Sequence, residues 1–317
     1  VGSEMCIRDS QGGTFFTVRN AEMADLVQMK IPKTYDEQIL NLQEKHGLII
    51  ADCAKAKEIL KTVNYYRLSA YGIDLLDKQT DKYREGTSLE QIYSLYQFDS
   101  RLRNIISPVI EYVEIRLRSC ISYHLAIKYG AECYRDRSFF KPWISGVFGK
   151  DMFDVFNERV DAEIRKQSKK PMVVHHMQKY EGHFPIWVVV ELLSLGALST
   201  LYSLMKREDQ KAIALNFQTG FVYVKSWFAA LVEIRNICAH YGRLYNMPLN
   251  SLAKLPPKES QYANSRLFTD CLALKYIMHG ESIWNTFVLN LRAIIDECPD
   301  VNLKCIGFPD DWERLLR

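Results

Sequence analysis

The fold is decided by residues 88–113, SLEQIYSLYQFDSRLRNIISPVIEYV, which predict one long amphipathic helix. Ser88 is a favourable N-cap residue, and Glu90 and Gln91 suit the first turn of a helix. Pro108 lies inside the run, so we expect the helix to kink or to split in two there. The apolar side chains keep the three-and-four spacing of one helix face, at Ile92, Leu95, Phe98, Leu102, Ile105, Val109, Tyr112 and Val113.

The same helical spacing continues through most of the chain on both sides of this stretch. Of the 317 residues, 48% are hydrophobic and 25% are charged, which is typical of a soluble globular protein. The chain holds 10 Pro and 15 Gly, few for this length, so an all-α fold is predicted. Residues 78–87 are polar and predict a linker between a small N-terminal helical module (residues 30–85) and a larger helical domain (residues 86–317).

The beginning of the chain carries a pattern foreign to protein structure. Residues 5–10, MCIRDS, are what ATG TGT ATA AGA GAC AG encodes when a pyrimidine follows. That string is similar to a transposase adapter used in sequencing libraries. We therefore expect residues 1–29 to be a disordered or artefactual N-terminus, with a native start near Met23.

Residues 186–205 are apolar over about 20 positions, the length that a bilayer requires. However, Glu191 lies within them, and a carboxylate at this depth costs about 2.5–3.5 kcal/mol on insertion scales. Several serine and threonine residues dilute the stretch further. We therefore predict a helix buried in a soluble core, and no membrane partner.

Charge and cysteine usage give weaker information about function. The formal net charge of +3 is too small to identify a nucleic-acid-binding protein, and the basic run at residues 165–170 fits a solvated helix end as well as an RNA contact. The 8 cysteines form no CxxC pair, so we expect neither a zinc site nor another cofactor. Scattered free cysteines suit a reducing compartment, which predicts a cytoplasmic protein.

The stretch WFAALVEIRNICAHYGRLYN, residues 227–246, is the candidate for function and belongs to a helix predicted over about residues 221–245. Arg235 and His240 are five residues apart, so they point about 140° apart on an ideal helix. One helix would therefore place them awkwardly around a single phosphate. Two copies crossing about a twofold axis would bring both pairs together, which favours a homodimer with a composite site. The apolar stripe expected to face the core is Trp227, Leu231, Ile234, Cys238, Tyr241 and Tyr245.

The residue types in this stretch match RNA cleavage by transesterification. That reaction needs a base for the ribose 2′-OH and an acid for the leaving 5′-oxygen, and histidine serves either role. An arginine such as Arg235 can donate two hydrogen bonds to the phosphate and stabilise its developing charge. Asn236 is one turn from His240 and could orient the imidazole or the phosphate. This chemistry requires no metal ion, and no metal ligands are predicted.

Four blocks of this sequence resemble the Abi-like (abortive infection) family of the HEPN ribonuclease superfamily. EIRNICAHYGRLYN, residues 233–246, resembles the Arg-x4-to-6-His signature of that superfamily and its Abi-like subgroup in particular. NYYRLSAY at residues 64–71 resembles the N-terminal block of the family. FPIW at residues 184–187, with Glu191 and SLG at residues 194–196, resembles its middle block, and GFPDDW at residues 307–312 its C-terminal block.

The resemblance implies a HEPN-type helical bundle and a toxin-like RNA endonuclease of phage defence. It implies Arg235 and His240 as catalytic residues with Asn236 assisting, and products with a 2′,3′-cyclic phosphate and a 5′-OH. It further implies a small structured RNA or a protein antitoxin as a partner that restrains the enzyme. The alternative function is a non-catalytic helical scaffold that binds RNA or protein.

Several residues keep a structural interpretation beside the functional one. Glu191 either forms a structural ion pair or supports Arg235, and Arg243 either contacts RNA phosphate or caps the helix end. Tyr241 is a further candidate for supporting the site or binding RNA, and His240 itself could be an ordinary helix-end histidine. The simpler interpretation is surface or core ion pairing for Glu111, Glu114 and Arg118. For His175, His176 and His183 it is a loop without a metal ion. For Tyr65, Tyr66 and Tyr71 it is the aromatic core of the small module.

Overall fold

The structure, a computed structural model, describes residues 31–146 and 149–317. It is about 65% helical, which confirms the predicted all-α fold. The prediction for residues 1–29 lies outside the described residues. The α-helices are α1 (Tyr35–Leu40), α2 (Cys53–Thr62), α3 (Tyr65–Ser69), α4 (Leu89–Tyr129), α5 (Met152–Lys166), α6 (Pro171–Lys179), α7 (Ile186–Leu192), α8 (Leu195–Leu204), α9 (Arg207–Leu215), α10 (Phe221–Ala239), α11 (Leu267–Ile277), α12 (Ser282–Asp296) and α13 (Trp312–Leu316).

The central helix of the bundle is α4, which runs for 41 residues, or about 60 Å. Ser88 is its N-cap as predicted, since its hydroxyl accepts a hydrogen bond from the Gln91 N–H. A kink or a split was expected at Pro108, and the split is wrong, because α4 continues through that residue. Proline has no N–H, so Pro108 cannot donate the helical hydrogen bond to the carbonyl of Asn104. Both residues are exposed, so water can donate to that carbonyl instead.

Most of the bundle packs around α4, which contacts α7, α8, α9, α10 and α12. Its side chains at Leu102, Ile106, Val109, Leu117 and Ile121 have no exposed surface and form the middle of the core. Each buried side chain of this size contributes about 1.5–3 kcal/mol to the free energy of unfolding. Packing against the neighbouring helices therefore stabilises α4 more than helix propensity does.

The apolar stretch at residues 186–205 is two helices, α7 and α8, and not the single helix expected from its hydrophobicity. Leu193 adopts an extended conformation, and Ser194 then caps α8 by accepting a hydrogen bond from the Ala197 N–H. None of the helices in the described part of the chain combines the length and the hydrophobicity that a membrane span needs.

The N-terminal module contains α1, α2, α3, a 3-10 helix (Ala70–Leu75) and a short antiparallel hairpin of β1 (Leu76–Asp77) and β2 (Lys82–Tyr83). The residues expected to be a linker therefore include a strand. Leu60, Leu68 and Tyr71 are buried in the same hydrophobic core as the side chains of α4. The division of the chain into two domains near residue 85 stays a prediction.

Two further segments differ from the sequence-based expectation. His175 and His176 lie in α6 rather than in a loop, with Pro171 at the first turn of that helix. The closing helix expected over residues 260–278 is shorter, because residues 260–262 form a 3-10 turn and α11 begins at Leu267.

Candidate active site at the end of α10

The end of α10 places the candidate catalytic residues. The helix stops at Ala239 with His240 as its C-cap, six residues before the expected end at Tyr245. Gly242 N–H donates to the Ile237 carbonyl (2.7 Å) and Tyr241 N–H to the Cys238 carbonyl (3.3 Å), which is the bonding pattern of a Schellman motif.

A left-handed residue, Tyr241, ends the helix. Its φ of 56° is uncommon for a non-glycine residue, and glycine is the usual residue at this position of the motif. The glycine comes one residue later, at Gly242, where there is little room for a side chain. A Cβ at this position would lie 3.1 Å from Cγ2 of Ile237.

The apolar stripe predicted for this helix is correct for Trp227, Leu231 and Ile234, which are buried. It is wrong for Tyr241, which is 71% exposed.

Arg235 lies in an open cleft between α10 and α4, here called the arginine cleft. Its volume is about 420 Å³. The Arg235 side chain is 39% exposed, and its Nε lies 3.7 Å from Oε2 of Glu114. The cleft is lined by Ser107, Ile110, Glu111, Glu114, Ile115, Arg118, Arg235, Cys238 and Ala239.

Glu114 is itself held in place by a second arginine. Its Oε1 lies 2.6 Å from Nη2 of Arg118. The Arg118 guanidinium donates to the carbonyls of Val190 and Leu193, each at 2.9 Å, at the break between α7 and α8. The carboxylate that faces Arg235 is therefore held through Arg118 to the end of α7, while Arg235 keeps a loose ion pair and an open side.

Cys238 also lines the arginine cleft, so its ionisation matters to the chemistry. Burial raises the pKa of the Cys238 thiol to about 11. A thiol with this pKa is protonated at neutral pH and is a poor nucleophile. The cleft therefore offers one free cationic group, Arg235, and no activated cysteine.

His240 and Asn236 both lie on the surface of the protein. The main-chain N–H of His240 donates to the carbonyl of Asn236 at 3.0 Å, which closes the last turn of α10. Within the described residues, neither side chain makes a hydrogen bond or an ion pair, so the proposed contact between them is not formed here. Both side chains are free to meet a ligand or a second protein chain.

Glu191, a candidate for supporting Arg235, does not occupy that position. Its side chain is exposed and, in the described part of the chain, has no hydrogen bond or ion pair. Glu114 is the carboxylate that faces Arg235. The sequence signal for Glu114 was present in its spacing from Arg118 on one face of α4, but the contact with Arg235 depends on how α4 and α10 pack.

The Arg243 guanidinium donates to the Ala70 carbonyl and lies over the Tyr71 ring, so it connects the N-terminal module to the residues after α10. Burial lowers the pKa of Arg243 from its usual range. A contact of Arg243 with RNA phosphate stays a prediction. Among the described residues, no group of three or more His, Cys, Asp or Glu side chains could hold a metal ion.

Comparison with known proteins gives one result. The sequence model of the family described as Abi-like protein matches residues 58–246, which is more than half of the chain. The match begins in α2 and ends directly after the turn that follows His240. Neither the curated proteins nor the solved structures contain a significant match.

Proposed function

Because the chain belongs to the Abi-like protein family, whose name indicates a role in abortive infection, we propose that it is a metal-independent RNA endonuclease of the HEPN type. One observation carries the proposal. Arg235 is held loosely in an open cleft, and His240 lies exposed at the end of the same helix with its side chain unbonded in the described structure.

The proposed reaction breaks an RNA strand without water as the first nucleophile. His240 removes the proton of a ribose 2′-OH, and the 2′-oxygen attacks the adjacent phosphorus. Arg235 stabilises the extra negative charge on the phosphate oxygens. The 5′-oxygen of the next nucleotide leaves and takes a proton from a second group, and the products are a 2′,3′-cyclic phosphate and a 5′-OH.

The need for that second acid supports a dimer in the proposal. One His240 cannot hold a proton for the leaving group while it acts as the base, whereas two protomers supply two histidines. Ile115, which lines the arginine cleft, is 57% exposed, and Tyr123 and Ile127 are exposed further along α4. Exposed apolar side chains on the helix that borders the cleft are consistent with a second copy of the chain covering them.

His240→Ala is the direct test of the site. General acid–base catalysis contributes about 10²–10⁴-fold, so we expect RNA cleavage by the variant to fall by that factor. Cleavage by the unaltered protein should continue in EDTA, and the products should carry cyclic phosphate. The melting temperature should stay unchanged, because the exposed His240 side chain makes no hydrogen bond or ion pair in the described structure.

His183→Ala is the matched control, because His183 is also exposed and its single partner is Glu132 on the surface. Full cleavage by the His240 variant would remove the site assignment. RNA that co-purifies and is bound but never cleaved would instead support the non-catalytic scaffold.

The composite site has its own test, which uses two inactive variants. Arg235→Ala and His240→Ala proteins are mixed, exchanged between dimers and assayed together. A site that takes Arg235 from one chain and His240 from its partner should regain partial activity in the mixture, below that of the unaltered dimer because each mixed dimer keeps a single His240. Activity that remains absent, together with an active monomer on dilution, would contradict the dimer.

We further propose that a partner restrains the enzyme in the absence of infection, either a small structured RNA or a protein antitoxin. The basic stretch at the end of α5 is exposed, at Arg165, Lys166, Lys169 and Lys170. Purification from a native host, with and without nuclease treatment, would separate an RNA partner from a protein partner.

A further inference from the structure

A segment of the N-terminal module reaches the turn that follows His240. This tyrosine segment (residues 64–71, NYYRLSAY) forms α3 and the start of the next 3-10 helix, and the post-helix turn comprises residues 241–245. Arg67 donates through Nη2 to the carbonyl of Tyr241, the residue directly after His240. In the opposite direction, Arg243 donates through Nη1 to the carbonyl of Ala70.

A buried carboxylate on α4 links the same two segments. The Tyr71 hydroxyl donates to Oδ2 of Asp99 at 2.7 Å. The other oxygen of Asp99 accepts the N–H groups of Leu244 at 3.0 Å and Tyr245 at 2.7 Å. Asp99 has no exposed surface, so these bonds have no competition from water.

Arg103, which pairs with Asp99, completes the set by donating to the Gly242 carbonyl at 2.9 Å. The main chain of the post-helix turn is therefore bonded at Tyr241, Gly242, Leu244 and Tyr245. By contrast, the His240 side chain has no partner of its own in the described structure. The position of the imidazole thus depends on the main chain that follows it.

We propose that the tyrosine segment is a positioning element for His240: it fixes the left-handed turn after α10, and through that turn the place of the imidazole in the site. The effect on catalysis depends on the proposed ribonuclease function, whereas the effect on the turn does not. Arg67 and Tyr71 are positioning residues, because neither contacts the reacting atoms.

The geometry explains why the tyrosine segment needs its residue types. Arg67 must reach a carbonyl on another element, which a long cationic donor can do. Tyr71 must bury an aromatic ring and still donate a hydrogen bond to Asp99. Tyr241, in turn, occupies a backbone conformation that is unfavourable for a side chain, and such a conformation persists only where neighbouring bonds maintain it.

The test is Arg67→Ala in the full chain, with Lys57→Ala as the matched control. Both variants lose one cation from the module, but Lys57 pairs with Asp36 at 2.6 Å and lies on α2, away from the bonds to the turn. The first measurement is amide hydrogen exchange at Leu244 and Tyr245. Loss of a charge-assisted hydrogen bond should speed exchange there about 10-fold in the Arg67 variant, and not in the control.

The second measurement is the steady-state cleavage of RNA. A misplaced catalytic group costs turnover more than binding, so kcat should fall about 10- to 100-fold while KM changes little. The NMR signal of the His240 ring, assigned by its loss in His240→Ala, should shift in the same variant. Arg67→Lys should recover part of the turnover, because lysine can still donate to the Tyr241 carbonyl.

The outcomes separate the two proposals. Unchanged exchange at Leu244 and Tyr245 and an unshifted His240 signal would overturn the positioning role, whatever the cleavage activity. Faster exchange in a protein whose unaltered form never cleaves RNA would support the positioning of the turn and refute the ribonuclease. A fall in melting temperature with unchanged kcat would show a purely structural contact, and would also overturn the proposal.

Discussion

Two arginine–carboxylate pairs have their carboxylates on α4, Asp99 and Glu114, about four helical turns apart, and the pairs differ in burial and in bonding. Asp99 and Arg103 have side-chain exposures of 0% and 5%, and Asp99 accepts bonds from Tyr71, Arg103 and two main-chain N–H groups. Glu114 and Arg235 have side-chain exposures of 12% and 39%, and their ion pair spans 3.7 Å.

The difference shows which charges are free to act on a ligand. The Asp99 group is fully bonded, so a ligand could gain from it only by breaking the fold. Arg235 has one loose partner and an open cleft, so a phosphate could be bound without any loss elsewhere. Burial and saturation therefore distinguish a charge that holds the structure from one that is available for chemistry.

Asp99→Asn should break the comparison most strongly. The substitution leaves Arg103 as a buried cation without its counter-charge, which costs about 3–5 kcal/mol. We expect the free energy of unfolding, measured by urea titration, to fall by that amount. A loss below about 1 kcal/mol would mean that Asp99 is no more important to the fold than a surface charge.

Asp270→Asn tests a third carboxyl group, which is buried but poorly bonded. Asp270 is 1% exposed, and its Oδ2 has no hydrogen-bond partner among the described residues, while Oδ1 accepts from the Ala253 N–H at 3.2 Å. Burial raises the pKa of Asp270 from 3.8 to about 7. Because the folded pKa is raised, stability from this group is present below pH 3.8 and is lost as pH rises through about 7.

The expected result is therefore a pH-dependent gain. At pH 8, Asp270→Asn should raise the free energy of unfolding by about 4 kcal/mol, because the asparagine never has to ionise in the core. At pH 4 the gain should almost disappear. Equal effects at both pH values, in urea titrations of the two proteins, would argue against ionisation as the cause.

Glu114→Gln should change stability little, since partly exposed ion pairs contribute about 0–1 kcal/mol. Its effect should appear in turnover, because Arg235 loses the carboxylate that orients it. We expect kcat for RNA cleavage to fall about 10-fold with the melting temperature nearly unchanged. If Glu114→Gln lowers the free energy of unfolding as much as Asp99→Asn does, Glu114 stabilises the fold in the way that Asp99 does.

Glu191→Gln should have the smallest effect. The side chain is exposed and unpaired in the described structure, so stability should change by no more than about 0.5 kcal/mol. Cleavage should stay at the level of the unaltered protein. A large loss of activity would return Glu191 to the site and question the assignment of its role to Glu114.

The sequence predicts what depends on neighbours along the chain. Ser88 identifies the start of α4, and the three-and-four spacing identifies its buried face, because both are properties of one helix. The end of α10 was misplaced, since the left-handed position is occupied by Tyr241 and the expected glycine follows one residue later. The break at Leu193 was missed because uniform hydrophobicity conceals a single extended residue.

The candidate site was predicted in part for the same reason. Arg235, Asn236 and His240 share one helix, so their presence and spacing are evident in the sequence. The partner of Arg235 comes from α4, and the contacts of Arg243 come from the N-terminal module. Such contacts depend on the packing of elements that are distant in the sequence, so the spacing of residues on one helix cannot predict them.

The bond from Asp99 to Tyr245 has a consequence for synthesis, because it joins residues 146 positions apart. At about 5–20 residues per second, a ribosome needs about 7–30 s to make the turn after it has made Asp99. Until then Asp99 and Arg103 lack the partners that make their burial tolerable. A chain interrupted before Leu244 therefore lacks both main-chain N–H groups that Asp99 accepts in the full chain, so this part of the turn can form only after Tyr245 has been made.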